Sequence, residues 1–354
     1  MLNHHVSDSG RTTTHEGLAG ATGIPGSKAG WDGRGLMNDG LMITAYGRGE
    51  KDKGVVTIRK VGGRYDRQLL PVEGKCNFCI QAGDRLYVSV QKDHPYLLEY
   101  RCVDGAYVCE TACPTRYFYS HGVFYGGLLL LASFSDGADG IYDRSLHREV
   151  DVHVHARTGY PKTGRSHYIG VTAGGRQVYA VDNALQQIYL YDIVDSRFVV
   201  RHIREFGEED IRLMPYSPYS GCYYLNTEST DRIYVLAYTE GRFHIQSITE
   251  LTGAGGGGKC FSGGNAVSPD GQRLCVTLRG DDRLYYFKIL PEGDLVLLDR
   301  APCGRMPRDV FFQDPEHLWV TCTDSDAVEG YAVRDDRLIK EEEIAVGQPV
   351  TFCA

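Results

Sequence analysis

Short apolar runs recur along the chain, and each run is followed by a polar or Gly-containing turn. Their Val, Leu, Tyr and Thr content favours β-strands, and the runs are too short for amphipathic helices. Seven of them occupy equivalent places: LMITAY (41–46), LYVSVQ (86–91), LLLASF (129–134), VYAVDN (178–183), YYLNTE (223–228), LCVTLR (274–279) and LWVTCT (318–323). By subtraction, their starts lie 45, 43, 49, 45, 51 and 44 residues apart. This period, with several strands per repeat, predicts an all-β, seven-bladed β-propeller.

A second apolar run precedes most of these strands and predicts the innermost strand of each blade. Examples are CNFCIQ (76–81), HYIGVT (167–172), RLMPYS (212–217), NAVSPD (265–270) and RDVFFQ (308–313). The first copy has no such run before it, but the chain ends in PVTFCA (349–354), which has the same character. We expect this C-terminal strand to insert into the first blade, because that closes the ring and removes a free sheet edge.

The N-terminal segment differs from the rest of the chain. Residues 1–36 are rich in Gly, Ser, Thr and His and lack periodic apolar positions, which is typical of disorder. We therefore expect an N-terminal extension, disordered or wrongly included by the choice of start codon, followed by a propeller over residues 37–354. In this interpretation Met37 and Met42 are alternative translation starts.

Composition and charge narrow the range of partners. The 354 residues suffice for one large all-β domain. A net charge of −8 opposes nucleic-acid binding, which requires a basic face. The longest apolar run, Val123–Ala132, is too short to span a bilayer, and no basic region followed by an apolar stretch suggests a signal peptide. We expect neither a nucleic-acid nor a membrane partner.

The chain contains eleven cysteines, which is an odd number. Several of them lie within strand-like runs, where cysteine acts as a small core residue. This usage indicates a reducing compartment, the cytoplasm. Cys76 and Cys79 have redox-motif spacing, but neither a βαβ pattern nor a second pair accompanies them, which favours core filling.

Two other motifs suggest ligands only weakly. His153 and His155 alternate as in a metal-binding strand, but without a third ligand a surface strand is favoured. Gly255–Gly258 lacks the strand-then-helix context of a phosphate loop and indicates a flexible connection. We expect no metal and no other cofactor.

Four longer segments carry a family resemblance: ITAYGRGEKDKGVVTIRKV, SHYIGVTAGGRQVYAVDNALQQIYLYDI, NAVSPDGQRLCVTLRGDDRLYYFKI and MPRDVFFQDPEHLWVTCTDSDAVEGYAV. In this order they resemble the lactonase family of seven-bladed propellers, which includes propeller-type 6-phosphogluconolactonases and the fungal carboxymuconate-lactonizing enzyme. The likeness covers about residues 41–354. It implies hydrolysis of a small anionic sugar lactone in carbohydrate metabolism, as in the pentose phosphate pathway.

The resemblance also implies site residues. His167 matches the second His of a His-x-His pair, Glu228 matches an Asn-Glu pair, and Arg212 and Arg308 match the arginines of two Pro-Arg motifs. Several surrounding positions depart from the family pattern: Arg165, Leu213, Thr227, Gly264 and Asp309 replace His, His, Asn, Glu and His, and Gln91 replaces Glu.

The propeller topology brings these residues together independently of the resemblance. In an antiparallel hairpin the start of one strand lies beside the end of the next, so Arg212 and Glu228 should be neighbours. All inner strands run in one direction along the axis, so His167 and Arg308 should reach the same mouth of the channel. The same rule adds further candidate substrate-binding residues: Lys75, Gln91, Asn183 and Arg279.

Their chemistry suits an anionic substrate. Arginines bind carboxylate or phosphate and can stabilise an oxyanion, while His and Glu transfer protons near neutral pH. Arginines close to Glu228 would keep it ionised, which favours Glu228 as base and His167 as acid, although the sequence leaves this assignment open. No Gly-x-Ser-x-Gly motif indicates a covalent intermediate.

Three functions remain open at this point: a sugar lactonase, a carboxymuconate-type lactonizing enzyme, or a propeller that only binds ligands or proteins, since fold alone does not imply function. The plainer interpretations of the residues also remain. Glu228 could be a solvated turn residue, and Arg212 and Arg308 could pair with acids such as Asp210 or Asp309.

Overall fold

The computed structural model describes residues 40–49, 53–207, 209–251 and 260–353. Within them the chain forms seven antiparallel sheets, which are the blades of a β-propeller as predicted. The expectations for residues 1–36, for a domain start at residue 37 and for Gly255–Gly258 lie outside the described residues.

Each of the first four blades contains four strands, which follow one another from the central axis outward in the order given for each blade. Blade one is β27 (Pro349–Phe352), β1 (Gly40–Ala45), β2 (Gly54–Val61) and β3 (Arg64–Pro71). Blade two is β4 (Lys75–Ala82), β5 (Arg85–Gln91), β6 (Pro95–Val103) and β7 (Ala106–Pro114). Blade three is β8 (His121–Tyr125), β9 (Leu128–Ser133), β10 (Ala138–Asp143) and β11 (Arg148–Val154). Blade four is β12 (Ser166–Val171), β13 (Val178–Asp182), β14 (Gln187–Val194) and β15 (Arg197–Glu205).

The last three blades complete the ring. Blade five has three regular strands, β16 (Cys222–Asn226), β17 (Arg232–Thr239) and β18 (Arg242–Glu250). Blade six is β19 (Phe261–Val267), β20 (Arg273–Arg279), β21 (Arg283–Ile289) and β22 (Leu295–Pro302). Blade seven is β23 (Pro307–Asp314), β24 (His317–Cys322), β25 (Ala327–Arg334) and β26 (Arg337–Ala345), with a 3₁₀ turn at Thr323–Ser325.

The C-terminal strand closes the ring, as predicted. Strand β27 pairs antiparallel with β1, and the N–H of Cys353 donates to the carbonyl of Met42 over 2.8 Å. Asp309, in the inner strand of blade seven, accepts hydrogen bonds from the Thr351 hydroxyl and the Phe352 N–H over 2.6 and 3.0 Å. The last strand therefore joins blade seven to blade one through both backbone and side chains.

Apolar packing between neighbouring blades supplies the core. The described residues contain seven clusters of buried apolar side chains, one for each pair of adjacent blades, including blades seven and one. Both faces of the second strand of each blade are covered, so β13 and β16 are buried at every position. This explains why the repeated runs in the sequence are mostly apolar and do not alternate strictly between apolar and polar residues.

Two of the predicted inner strands differ from the structure. Residues 212–217 form no regular strand and pair through isolated bridges, Ile211 with Thr227 and Tyr216 with Tyr223. The prolines at positions 215 and 218 lack the N–H that a continuous ladder needs. In blade six the strand is Phe261–Val267, so it begins before the predicted run and the Ser-Pro-Asp part lies in the following turn.

The inner strands of blades two, four and seven each carry a β-bulge near their start, and the ladders of blades one and six are also irregular there. The ladders between the first two strands of blades two, four and seven pair the residues on either side of Asn77, His167 and Arg308 but skip these three. A bulge leaves one residue out of the ladder and re-aims its side chain. The three blades therefore present a non-ladder residue at equivalent positions near the mouth of the channel.

All eleven cysteines carry free thiols, and Cys76 and Cys79 lie in the core between blades one and two.

Among the described residues, no helix is both long enough and apolar enough to cross a membrane.

His155 fastens blade three to blade four, so the surface-strand prediction is wrong for this residue. Its ring is fully buried, with Nδ1 2.7 Å from an oxygen of Asp182 and Nε2 2.8 Å from an oxygen of Asp139. The ring stacks on Tyr189 at 4.0 Å, while His153 remains partly exposed. Burial opposes protonation of the ring, but the charges and hydrogen bonds of Asp139 and Asp182 outweigh it and raise the pKa of His155 to about 9.

The free energy of unfolding should fall by about 3 kcal/mol as the pH rises from 6.5 to 9, because of His155 alone. The folded pKa lies above the ordinary value of 6.5, so the stabilisation is complete below pH 6.5 and lost as the pH passes the folded pKa. Urea unfolding at several pH values would measure the loss, and an NMR titration would assign it. A neutral His155 ring in the folded protein at pH 7.5 would contradict this prediction.

Candidate functional site

Three side chains from blades four, five and six donate hydrogen bonds to Glu228 at the mouth of the channel. Arg212 donates to Oε1 over 3.0 Å, and Arg279 donates to the same oxygen over 2.6 Å. Asn183 Nδ2 donates to Oε2 over 3.3 Å. The predicted proximity of Arg212 and Glu228 is found in the structure, and two further predicted mouth residues meet them at the same carboxylate.

The environment of Glu228 keeps it ionised. Burial disfavours the charged form, but the charges of Arg212 and Arg279, with their hydrogen bonds, hold the pKa of Glu228 below its usual 4.5. Its side chain is 23% exposed and paired, so it is not a solvated turn residue. The carboxylate therefore holds two guanidinium groups at one point of the mouth.

Arg212 begins the irregular inner segment of blade five and is nearly buried, with 9% of its side chain exposed. Burial, reinforced by the charge of Arg279, lowers the pKa of Arg212 to about 9, which leaves it protonated at neutral pH. Its Nε atom is buried and has no hydrogen-bond partner among the described residues. Asp210 instead accepts a hydrogen bond from Ser229, so it is not the ion-pair partner of Arg212.

His167 is the bulged residue of blade four, and its ring packs edge-on against Phe134 at 4.9 Å. Burial, together with the charges of Arg212 and Arg279, holds the pKa of His167 well below 6.5, so the ring is neutral at pH 7. Its Nδ1 atom is buried without a hydrogen-bond partner in the described chain. A neutral ring in a positive field is a poor general acid, which opposes the acid role favoured from the sequence.

Buried polar atoms without partners are uncommon and cost about 1–3 kcal/mol each. His167 Nδ1 and Arg212 Nε are two such atoms, and they belong to adjacent blades around the same carboxylate. Both atoms therefore keep a hydrogen-bonding capacity that no other described residue uses.

Arg308 lies in a second group, formed by blades seven, one and two. Its Nη2 donates to the hydroxyl of Tyr46 over 3.3 Å, and that hydroxyl donates to Asn77 over 2.5 Å. The Lys75 ammonium lies 5.5 Å from the centre of the Tyr46 ring. The charge of Arg308 also contributes to lowering the pKa of Arg212, so the two groups share one mouth.

Gln91 is the predicted residue with the weakest connection to either group. It is exposed and stands opposite Lys75 in the β4–β5 ladder, at the mouth end of blade two. Its side chain makes no hydrogen bond to another described residue, so the structure gives it a position but no partner.

Two departures from the family pattern have structural reasons. A Cβ atom on Gly264 would lie 2.7–2.9 Å from the backbone of Asp309 and Val310, so blades six and seven approach too closely there for a side chain. Asp309 binds the closing strand. Neither position has a free side chain that points toward a ligand, and the site depends on the remaining residues.

Three further residues at the mouth were not predicted from the sequence: Tyr46, Phe134 and Asn77. Tyr46 and Phe134 end the runs LMITAY and LLLASF, so the rule that selected Gln91 and Asn183 would have selected them too. Asn77 reaches the mouth only because of the bulge in β4, which the residue pattern does not reveal.

No metal centre accompanies these residues in the part of the chain that the structure describes. There, no three His, Cys, Asp or Glu side chains are arranged to hold an ion. The carboxylates of Asp139 and Asp182 are both hydrogen-bonded to the ring of His155. His155 therefore connects two blades and is not part of a metal site.

Comparison with known families supports the architecture and adds a chemical class. A family model described as "Lactonase, 7-bladed beta-propeller" matches residues 112–353. A 6-phosphogluconolactonase of Bacillus subtilis (strain 168) is 24% identical over 270 residues, which are 67% of this chain and 76% of that protein.

Solved structures share the fold at low sequence identity. The periplasmic gluconolactonase PpgL of Pseudomonas aeruginosa superposes with a TM-score of 0.75 at 20% identity, over 89% of this chain and 99% of that one. A putative 6-phosphogluconolactonase of Bacteroides fragilis NCTC 9343 gives a TM-score of 0.77 at 17% identity, over 90% and 98% of the two chains. At these identities the likeness extends to the fold.

Proposed function

Because the chain belongs to the lactonase family of seven-bladed β-propellers, we propose that it hydrolyses a small anionic sugar lactone, with 6-phosphogluconolactone as the first candidate. The observation that supports this most is the ionised Glu228, bound by two arginines beside a neutral histidine. The name of the Bacillus subtilis relative agrees with this substrate class.

In this proposal His167 is the proton acceptor, and Glu228 holds the two arginines that face the substrate. Both oxygens of Glu228 already accept hydrogen bonds, two of them from charged groups, and this lowers its basicity. His167 is neutral and carries no hydrogen bond at Nδ1. Since Nδ1 is buried, a water at the mouth would reach the ring through Nε2. An anion bound nearby would offset the charges that depress the pKa of His167 and make it a better base.

Arg212 and Arg279 then stabilise the charge that develops on the substrate. When water adds to the lactone carbonyl, the carbonyl oxygen becomes an oxyanion, and fixed cationic donors stabilise it more than they stabilise the ground state. The side chains of Arg212 and Arg279 keep 9% and 13% of their surface exposed, so part of each can reach a substrate at the mouth. Glu228 keeps both guanidinium groups in place, so they need no reorganisation during the reaction.

The proton balance closes with one residue. His167 takes a proton from the attacking water, and the tetrahedral intermediate collapses by breaking the bond between the carbonyl carbon and the ring oxygen. The imidazolium returns its proton to the leaving ring oxygen, which becomes a hydroxyl group. The product is the open hydroxy acid, and its carboxylate loses a proton to solvent.

The acid limb of the pH profile should lie below that of an enzyme with an ordinary histidine base. The base must be unprotonated, and the pKa values of His167 and Glu228 are both lowered. We expect kcat/KM at pH 6 to equal that at pH 7, whereas a base with the ordinary pKa of about 6.5 would have lost more than half of its active form. Rates corrected for spontaneous hydrolysis would measure this, and a half-maximal rate at pH 6.5 would contradict it.

The function itself can be tested with three lactones. Purified protein is given 6-phosphogluconolactone, unphosphorylated gluconolactone and carboxymuconolactone, and acid release is followed in each case. Turnover of a sugar lactone supports the proposal, provided that both His167→Ala and Glu228→Gln reduce it.

The other outcomes point elsewhere. Turnover of carboxymuconolactone alone would assign the site to muconate-type chemistry. No turnover of any lactone by the folded protein would leave a binding module on a lactonase scaffold.

A further inference from the structure

The mouth of the channel has two halves with different chemistry. Blades five and six hold Arg212 and Arg279, which are already paired with Glu228, while Arg165 of blade four lies over the Phe134 ring. Blades seven, one and two hold Arg308 and Lys75, and neither of these cations forms an ion pair with a carboxylate among the described residues. In a protein with a net charge of −8, Arg308 and Lys75 leave two positive charges available to a ligand in this half of the mouth.

The unpaired cations lie in a structured environment. Tyr46 accepts a hydrogen bond from Arg308 over 3.3 Å and donates one to Asn77 over 2.5 Å, so three blades fix its ring. Lys75 lies over the rings of Tyr46 and Phe118, at 5.5 and 5.9 Å from their centres. Aromatic rings restrict a flexible lysine without neutralising it.

A cavity lies beside these residues and could admit a ligand group. Its volume is about 290 Å³, and its lining includes Tyr46, Lys53, Lys75 and the backbone around Gly74 and Gln348. Lys53, Lys75 and Tyr46 thus line a space at the mouth end of blades one and two, and Arg308 reaches the Tyr46 hydroxyl beside it. Multiple cationic donors around a small cavity match the tetrahedral oxygens of a phosphoryl group.

The equivalent bulges support a ligand-facing role for this half. Arg308 and Asn77 occupy the same structural position in blades seven and two that His167 occupies in blade four. These three side chains leave their ladders at the same level of the propeller. Polar side chains from blades two, four and seven therefore reach the same mouth from different parts of the ring.

We propose that Arg308, Lys75 and Tyr46 form a phosphoryl-binding subsite, opposite the Glu228 group that acts on the lactone carbonyl. This inference rests on the proposed lactonase function and specifies how that site distinguishes substrates. The subsite holds the phosphate of a phosphorylated sugar lactone, and Asn77 positions Tyr46. Discrimination against an unphosphorylated lactone comes from the blade seven, one and two half of the mouth.

Substitution of Lys75 tests the subsite because this residue is exposed and its replacement should not disturb folding. Lys75→Met is expected to lower the ratio of kcat/KM for 6-phosphogluconolactone over gluconolactone by about 10- to 100-fold, mainly through KM. Lys288→Met, at an exposed position in β21, is the matched control and should leave the ratio unchanged. Inorganic phosphate binding, followed by calorimetry, should weaken in Lys75→Met and Arg308→Met.

Each result has a distinct meaning. Equal ratios for Lys75→Met and Lys288→Met, with lactone turnover intact, would overturn the subsite and leave the lactonase proposal standing. Absence of lactone turnover, with phosphate binding that Lys75→Met weakens and Lys288→Met does not, would support the subsite and refute the lactonase function. Phosphate binding that neither Lys75→Met nor Arg308→Met alters would also overturn the subsite.

Discussion

Replacing Glu228 by glutamine is expected to lower kcat/KM for a sugar lactone by about 10²–10³-fold. Glutamine is nearly the same size but carries no charge, so Arg212 and Arg279 lose the carboxylate that both of them bind. The two guanidinium groups then repel each other and no longer present fixed donors to the oxyanion. The loss should appear mainly in kcat, because these donors act most strongly in the transition state.

A matched control separates this effect from the loss of any acidic side chain. Glu292→Gln makes the same chemical change at an exposed turn remote from the mouth and should retain full activity. Removing one partner of a buried ion pair also destabilises a protein, so the melting temperature of Glu228→Gln must be measured beside the rate. Full activity in a folded Glu228→Gln protein would refute the assigned role.

The variant His167→Ala tests independently whether His167 and Glu228 act in the same catalytic step. Loss of a general base typically costs about 10²–10⁴-fold, and residues that act in one step give non-additive losses. We therefore expect the double variant with Glu228→Gln to be only slightly worse than the poorer single variant. Losses that multiply fully would mean that the two residues act in separate steps.

The architecture could be predicted from the sequence because every blade of a propeller repeats the same order of strands and turns along the chain. The second strands are buried on both faces, so mostly apolar runs recur at a regular spacing, as in Val178–Asp182 and Cys222–Asn226. The inner strands were harder to predict because they carry polar, ligand-facing residues and bulges. Residues 212–217 contain a proline and pair irregularly, which the apolar pattern did not indicate.

The candidate site was predictable in position and in the ionised state of Glu228, but not in the protonation of His167. Hairpin geometry brings Arg212 to Glu228 in any propeller of this order, and the structure has that contact at 3.0 Å. The state of His167 depends on how deeply it is buried and on how close Arg212 and Arg279 lie, which are three-dimensional quantities. The acid assignment therefore had no basis in spacing alone.

Deleting residues 349–354 is expected to abolish cooperative unfolding or lower the melting temperature by at least about 10 °C. Val350 and Phe352 are buried, at 2% and 3% exposure, and each contributes about 1.5–3 kcal/mol through its burial. The deletion also strips Asp309 of two hydrogen-bond donors in a buried position. Against a total stability of about 5–15 kcal/mol, these losses are decisive.

Graded substitutions locate the cause of that loss. Phe352→Ala keeps the backbone pairing of β27 with β1 but leaves a cavity between blades one and seven, so it should cost about 3–5 kcal/mol. Ile339→Ala, at an exposed position of the outer strand β26, should change stability far less and serves as the control. If the shortened chain melted at the wild-type temperature, β1 would not need β27 as its partner. The ring would then be held by the apolar contacts between blades one and seven, not by the C-terminal strand.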